Sequence, residues 1–190
     1  MAVRNFRVED KNSVVLSKLG ALHFLEEVLE HSSPYETSPV YKRDARGKLA
    51  KLKILSDPDI FPLGVLDEYI AYSSSNVFRG FHRQGNPHDG NKVFFVIAGE
   101  IELYTLDTAG ATNGKFHLDK HHLFENGHAM VVPQGYFTGY LVKSDEAIVQ
   151  VKSSSLYNPS FQRVISPHEV WSEEVTGSWM LSDQDKGSHA

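Results

Sequence analysis

The stretch Lys92-Val93-Phe94-Phe95-Val96-Ile97-Ala98-Gly99-Glu100-Ile101-Glu102-Leu103-Tyr104-Thr105-Leu106-Asp107 decides how the rest of the chain is read. Its first half is a continuous apolar run and its second half alternates, with Ala98-Gly99 as a tight turn between them, which is the pattern of two strands. Working outward, short apolar or alternating runs punctuated by Gly, Pro, Asn and Asp predict further strands at Leu49–Leu55, Val65–Tyr72, Asn76–Phe81, Ala129–Val132, Phe137–Val142 and Ala147–Lys152. About eight such strands predict an all-β double-sheet barrel or jelly roll, an architecture that often holds a small ligand in its mouth. Ahead of them Val15, Leu19, Leu22, Leu25 and Leu29 recur at three- and four-residue steps, which predicts one amphipathic helix over residues 13–31. The expected organisation is an N-terminal helical extension over 1–39, a barrel over 40–185 and a disordered tail over 186–190.

The chain has 190 residues, of which 41% are hydrophobic and 23% charged, enough apolar surface for one core. Its formal charge of -5 and lack of any basic block argue against nucleic acid as a partner. An anionic ligand must therefore be held by a few placed cations. The absence of Cys removes disulfides, zinc–thiolate sites, iron–sulfur clusters and thiol nucleophiles, and is in keeping with a cytoplasmic location. The run Val93–Ala98 is far too short to span a membrane, and the opening residues form no signal-peptide core. Of the ten His, those at 23, 31, 117, 121, 122, 128 and 168 lie in polar contexts and read as surface residues.

Two segments carry chemistry. The first is Asn76-Val77-Phe78-Arg79-Gly80-Phe81-His82-Arg83-Gln84; the second is Val131-Val132-Pro133-Gln134-Gly135-Tyr136-Phe137-Thr138-Gly139-Tyr140. Strand alternation, absent a bulge, puts Gly80, His82 and Gln84 on one face and Arg79 and Phe81 on the other. Together the segments resemble cupins. A metal-binding cupin wants His-x-His with a Glu nearby, but position 84 is Gln and the second-motif ligand position is Thr138, so no metal site is expected, with His88 and His128 as weak reserve ligands.

The same residues resemble the dTDP-4-dehydrorhamnose 3,5-epimerase family of the cupin superfamily, from about Val40 to Asp185. Asp44-Ala45-Arg46-Gly47 is similar to the family's Asp-x-Arg-Gly, and Val77 to Gln84 is similar to its Val-Leu-Arg-Gly-Leu-His-x-Gln. Lys92 stands ten residues after His82, and Pro133-Gln134-Gly135, Tyr157-Asn158-Pro159 and Leu181-Ser182-Asp183-Gln184-Asp185 fall where the family has Pro-x-Gly, Tyr-Asn-Pro and Leu-Ser-x-Lys-Asp.

The resemblance implies a homodimeric barrel that binds a nucleotide-diphosphate 4-keto-6-deoxy sugar without metal or organic cofactor. It implies catalytic roles for His82, Lys92 and Asp185: His82 as the base that removes a proton beside the ketone, Asp185 as the carboxylate that orients it, and Lys92 as the cation facing the enolate. Arg79 and Arg46 would grip the diphosphate. Gln84, Thr138, Tyr140 and Tyr157 complete the implied substrate-binding set.

The chain departs from the family at two positions. The Tyr that supplies the family's opposite-face acid falls at Val151, and its second pocket His falls at Thr138. Tyr140, Tyr136, Tyr104 or a water are the substitutes to consider for the missing acid. Three functions stay open: an epimerase at C3, C5 or both; a ketoisomerase that needs only one base; and a silent barrel that binds a sugar nucleotide or glycan.

Overall fold

The computed structural model describes residues 8–10, 13–15, 33–45, 47–107 and 115–186. Two antiparallel sheets dominate them. The first has seven strands: β1 (Val8–Asp10), β2 (Ser13–Val15), β7 (Phe78–Gln84), β9 (Glu100–Asp107), β10 (Lys115–Phe124), β12 (Tyr136–Val142) and β14 (Gln162–Val164), in the spatial order β1-β2-β10-β9-β12-β7-β14. The second has five: β3 (Tyr35–Thr37), β6 (Asp67–Ser74), β8 (Lys92–Ala98), β11 (Ala129–Val132) and β13 (Glu146–Ser153), in the order β3-β11-β8-β13-β6. A separate hairpin joins β4 (Val40–Asp44) to β5 (Gly47–Lys51). Successive strands cross between the sheets, and this gives the jelly-roll barrel.

The sequence pattern explains which faces are covered. In β12 all seven residues are buried. Tyr136, Tyr140 and Val142 point between the sheets with Phe94, Val96, Val149 and Val151, whereas Phe137 and Leu141 point outward into a second cluster with Phe78, Phe81 and Val170. A strand covered on both faces shows no alternation in its sequence. Burying each such side chain contributes roughly 1.5–3 kcal/mol. Gly99 closes the β8–β9 turn at φ +80, where a Cβ would lie 2.1 Å from the Glu146 carbonyl oxygen.

The outer cluster also fixes the C-terminal segment. Trp179 stacks on Phe78 with centroids 5.0 Å apart, and Trp171 stacks on Phe81 at 5.6 Å. Met180 bridges Val77 in parallel, with its N–H donating to the Asn76 carbonyl at 2.8 Å. The segment that carries Asp185 is thereby held against β7.

Several expectations need correction. Residues 13–15 of the expected helix form strand β2, paired to β10, while residues 16–31 lie outside those described. Strand β3 belongs to the five-stranded sheet, so sheet structure begins before the boundary expected at residue 40. The strand expected over Leu49–Leu55 ends at Lys51 and gives way to a 3-10 turn at Lys53–Ser56. Strand β10 is not among the expected strands, and it places His117, His121 and His122 in a ladder with β9, with His117 and His122 exposed as expected. There His121 contacts Thr105 Oγ1 at 3.1 Å, and burial lowers its pKa. Of the expected tail, Lys186 closes a turn onto the Ser182 carbonyl at 3.1 Å, and 187–190 lie outside the described residues.

Candidate active site

Strand β7 contains the bulge that strand alternation alone cannot supply. On β12, Thr138 pairs with His82 and Tyr140 with Arg79, so Gly80 and Phe81 together oppose the single residue Gly139. This corrects the expected parity: Arg79 joins His82 and Gln84 on one face, and Phe81 turns into the outer cluster with Phe78. Gly80 is required at the bulge. Its φ is +117, and a Cβ there would sit 2.4 Å from the Thr138 carbonyl oxygen and 2.5 Å from Gly139 Cα.

His82, Lys92 and Asp185 converge. Asp185 Oδ1 lies 2.8 Å from His82 Nε2, with the carboxylate side chain only 5% exposed and the imidazole 34%. The same oxygen accepts from the Gly80 N–H at 3.3 Å, and Oδ2 accepts from Ser182 Oγ at 2.7 Å. Burial alone would raise the Asp185 pKa, but the donors from His82, Ser182 and Gly80 outweigh it and hold the carboxyl below its usual range. A carboxylate fixed on Nε2 leaves Nδ1 as the ring nitrogen free to accept a proton, and it stabilises the imidazolium that results. Lys92 Nζ donates to Thr138 Oγ1 at 3.2 Å and to the His82 carbonyl at 3.4 Å. Burial pulls the Lys92 pKa down to about 8, partly opposed by Asp89 and furthered by Arg83.

The implied binding residues divide. Arg79 reaches from β7 to the edge strand β6, where Nε donates to Ser73 Oγ at 2.8 Å and Nη2 to the Tyr72 carbonyl at 3.4 Å. Tyr140 lies next to it, buried beside Ser73; burial raises its phenol pKa, with Ser73 and Arg79 opposing. Thr138 serves as the hydroxyl that holds Lys92. Gln84 instead ties down a loop, its Oε1 accepting from the Asn158 N–H at 2.9 Å, and Tyr157 donates its hydroxyl to Gln162. Arg46 lies outside the described residues. Tyr104 donates to Glu102 at 2.8 Å and packs in the outer cluster, away from His82. Val151 is 1% exposed and faces the seven-stranded sheet from the opposite wall.

Other supporting residues are not evident from motif reading. The buried pair Arg83–Asp89, with Nη2 to Oδ2 at 2.9 Å, locks β7 to the turn before β12, because Asp89 Oδ2 also accepts from the Gly135 N–H at 2.9 Å. Ser73 and Ser182 orient Arg79 and Asp185. These pairs are local, Ser73–Arg79 and Arg83–Asp89 six positions apart and Ser182–Asp185 three, yet residue type alone does not mark them as bonded to each other. The reserve metal ligands are engaged elsewhere: His128 contacts Glu36 at 3.1 Å and His88 contacts Asn158 at 3.2 Å. No helix among the described residues is long and apolar enough to cross a membrane.

The family model described as dTDP-4-dehydrorhamnose 3,5-epimerase matches residues 34–190. A relative of that description from Methanothermobacter thermautotrophicus is 30% identical over 125 residues, covering 60% of this chain and 64% of the relative. One from Shigella flexneri is 29% identical over 121 residues, again covering 60% and 64%. The chain thus spans less than two thirds of the length of these curated relatives. Among solved structures, dTDP-4-dehydrorhamnose 3,5-epimerase from Sulfolobus tokodaii superposes with a TM-score of 0.68 at 24% identity, covering 83% of this chain and 89% of its own. The Legionella pneumophila dTDP-6-deoxy-D-glucose-3,5-epimerase, in complex with dTDP-4-keto-L-rhamnose, gives 0.68 at 19% identity, covering 84% and 88%. At these identities the structural likeness speaks for the fold.

Proposed function

The chain belongs to the dTDP-4-dehydrorhamnose 3,5-epimerase family, and from that premise we propose that it is an epimerase of a nucleotide-diphosphate 4-keto-6-deoxy sugar, acting at C3, C5 or both. The observation that carries this reading is the His82–Asp185 pair beside the Lys92 ammonium. A proton beside a ketone is acidic because the anion left behind delocalises onto oxygen. His82 takes that proton at Nδ1 while Asp185 stabilises the imidazolium. Lys92 supplies positive charge where the enolate oxygen develops, the kind of preorganised electrostatics that contributes most to such steps. Arg79, on the same face, offers planar donors to the diphosphate, and Arg46 is proposed to join it. No metal or organic cofactor is required by these steps.

A one-base ketoisomerase is the second reading, favoured by the apolar Val151 on the facing wall. The oriented His82–Asp185 pair speaks against a silent binding barrel, which has no need of a positioned base. We place the protein in the cytoplasm as a homodimer. Support for self-association comes from Ile70, Tyr72 and Ile97, exposed apolar residues on the outer face of the five-stranded sheet.

The test is incubation with a panel of dTDP- and UDP-linked 4-keto-6-deoxy sugars in heavy water, followed by NMR. Deuterium entering C3 or C5 together with a new epimer is expected. A 3-keto product, with the carbonyl moved from C4 to C3 through the shared enediolate, supports the ketoisomerase, and tight binding without any exchange supports the silent barrel.

A further inference from the structure

Epimerisation at a carbon needs a proton removed from one face and another delivered to the opposite face. The base, His82, stands on the seven-stranded sheet in the row Thr105–Thr138–His82. The row of the five-stranded sheet next to Lys92 reads Phe94–Val151–Tyr69, since β13 pairs Val151 with Phe94 on one side and with Tyr69 on the other. Residues directly opposite in an antiparallel pair point to the same face. Val151 points between the sheets, so Tyr69 does too, and Ala71, two residues on, packs against the same interior cluster.

The two walls meet along a flank. Arg79 on β7 bonds Ser73 on β6 at 2.8 Å. Moving from that contact away from the turn that joins β6 to β7, the next site-facing side chain on β7, past the bulge, is His82; on β6, Ala71 and then Tyr69 follow Ser73. Of the residues on this part of β6 and β13, Ala71, Val149 and Val151 carry no transferable proton, and Tyr69 carries one. Tyr140 is the rival phenol. It stands on the same sheet as His82 and is 3% exposed, whereas Tyr69 comes from the facing sheet and is 50% exposed, where a ligand can touch it.

We propose that Tyr69 is the proton donor on the face opposite His82, taking from the neighbouring strand the position on the wall that Val151 leaves without a donor. The inference rests on the epimerase reading above. His82 breaks the C–H bond and keeps the proton, and the bonding pair moves into the enolate, with negative charge on the C4 oxygen. When the enolate collapses, its carbon takes the proton from the Tyr69 hydroxyl on the other face, forming the new C–H bond. The phenolate left behind regains a proton from solvent and the imidazolium loses one, so each turnover is redox-neutral and proton-balanced. The environment favours a phenol that holds its proton until then. Desolvation at the hydroxyl end and the adjacent Tyr140 raise the Tyr69 pKa, with Arg79 partly opposing.

The test uses dTDP-4-keto-6-deoxyglucose in heavy water, with deuterium uptake and epimer formation followed separately by NMR. Tyr69→Phe removes only the hydroxyl. It is expected to cut inversion by about a hundredfold or more, the usual contribution of a general acid, while uptake of deuterium with retained configuration stays within about threefold of the parent. The retained exchange reports that the variant is folded and that His82 works. Tyr72→Phe, on the outward face of the same strand, is expected to leave both rates unchanged. Inversion that persists in Tyr69→Phe overturns the proposal, as does equal loss of exchange and inversion, or loss of inversion in Tyr140→Phe but not in Tyr69→Phe. Inversion present in the parent and kept in Tyr69→Phe overturns this proposal alone, whereas a parent protein that exchanges without inverting, or exchanges nothing, overturns the epimerase reading and this one with it.

Discussion

The two walls of the barrel make a useful contrast. The seven-stranded wall carries its chemistry on a single strand, β7, with Arg79 and His82 three positions apart in the chain and brought onto one face by the bulge at Gly80. Its supports Asp185 and Arg83 are buried, and the exposed Ser182 bonds Asp185 from the rim. The five-stranded wall is mostly aliphatic around Val149 and Val151, and its polar groups come from two strands, Lys92 on β8 and Tyr69 and Ser73 on β6, with β13 between them. One wall is organised along the chain, the other across it. Chemistry organised along a strand leaves a motif; chemistry organised across strands leaves none, because the pairing that creates it joins residues 82 positions apart.

The largest expected effect breaks the first wall. His82→Ala is expected to lower deuterium exchange by about a hundredfold or more, while nucleotide-sugar affinity stays within about tenfold, because the change removes a base and leaves the cations in place. Calorimetric titration beside the exchange assay separates the two; full exchange in this variant would move the base to another residue.

Arg79 tests whether the bridge between the walls also binds ligand. Loss of a charge-assisted contact to phosphate costs on the order of 2 kcal/mol, so Arg79→Ala is expected to weaken dTDP binding roughly thirtyfold, with dTDP itself as the titrant. An unchanged dissociation constant would reduce Arg79 to a structural link to Ser73.

The smallest effect sharpens the second wall and concerns pH. Burial places the Lys92 pKa at about 8, so its ammonium is charged below that value and is lost as pH rises through it. An enolate-stabilising cation therefore predicts that kcat/KM falls above about pH 8, by roughly tenfold one unit higher, while Asp185, held below its usual range, stays ionised across the same interval. A profile flat to pH 10 would take Lys92 out of the reaction.

The contrast between walls also describes what the sequence makes legible. Strands β8, β9 and β11 have the limits expected from their apolar or alternating runs, which are the clearest strand patterns in the chain. Strand β10 is missed because Lys115-Phe116-His117-Leu118-Asp119-Lys120-His121-His122-Leu123-Phe124 mixes His and Lys into an outer strand, where pairing with β9 and not burial defines it. The convergence of His82, Lys92 and Asp185 is foreshadowed by motif spacing. The bulge is not, because a register shift leaves no periodic trace and reverses the expected side of Arg79. Gln84 and Tyr157, read as ligand contacts, bond within the protein: Gln84 accepts from the Asn158 N–H far along the chain, a pairing that residue type does not disclose, and the exposed Tyr157 donates to the nearby Gln162. Nothing in the sequence marks Tyr69, since only the β6–β13 register connects it to Val151.

The central claim is that a base on one wall and a donor on the other act on the same carbon. It is tested most directly by incubating the native protein with dTDP-4-keto-6-deoxyglucose in heavy water and reading, by NMR, the configuration of every carbon that has taken up deuterium. The account predicts deuterium at C3, C5 or both, with inverted configuration at the labelled carbon. Deuterium found only with retained configuration would contradict it.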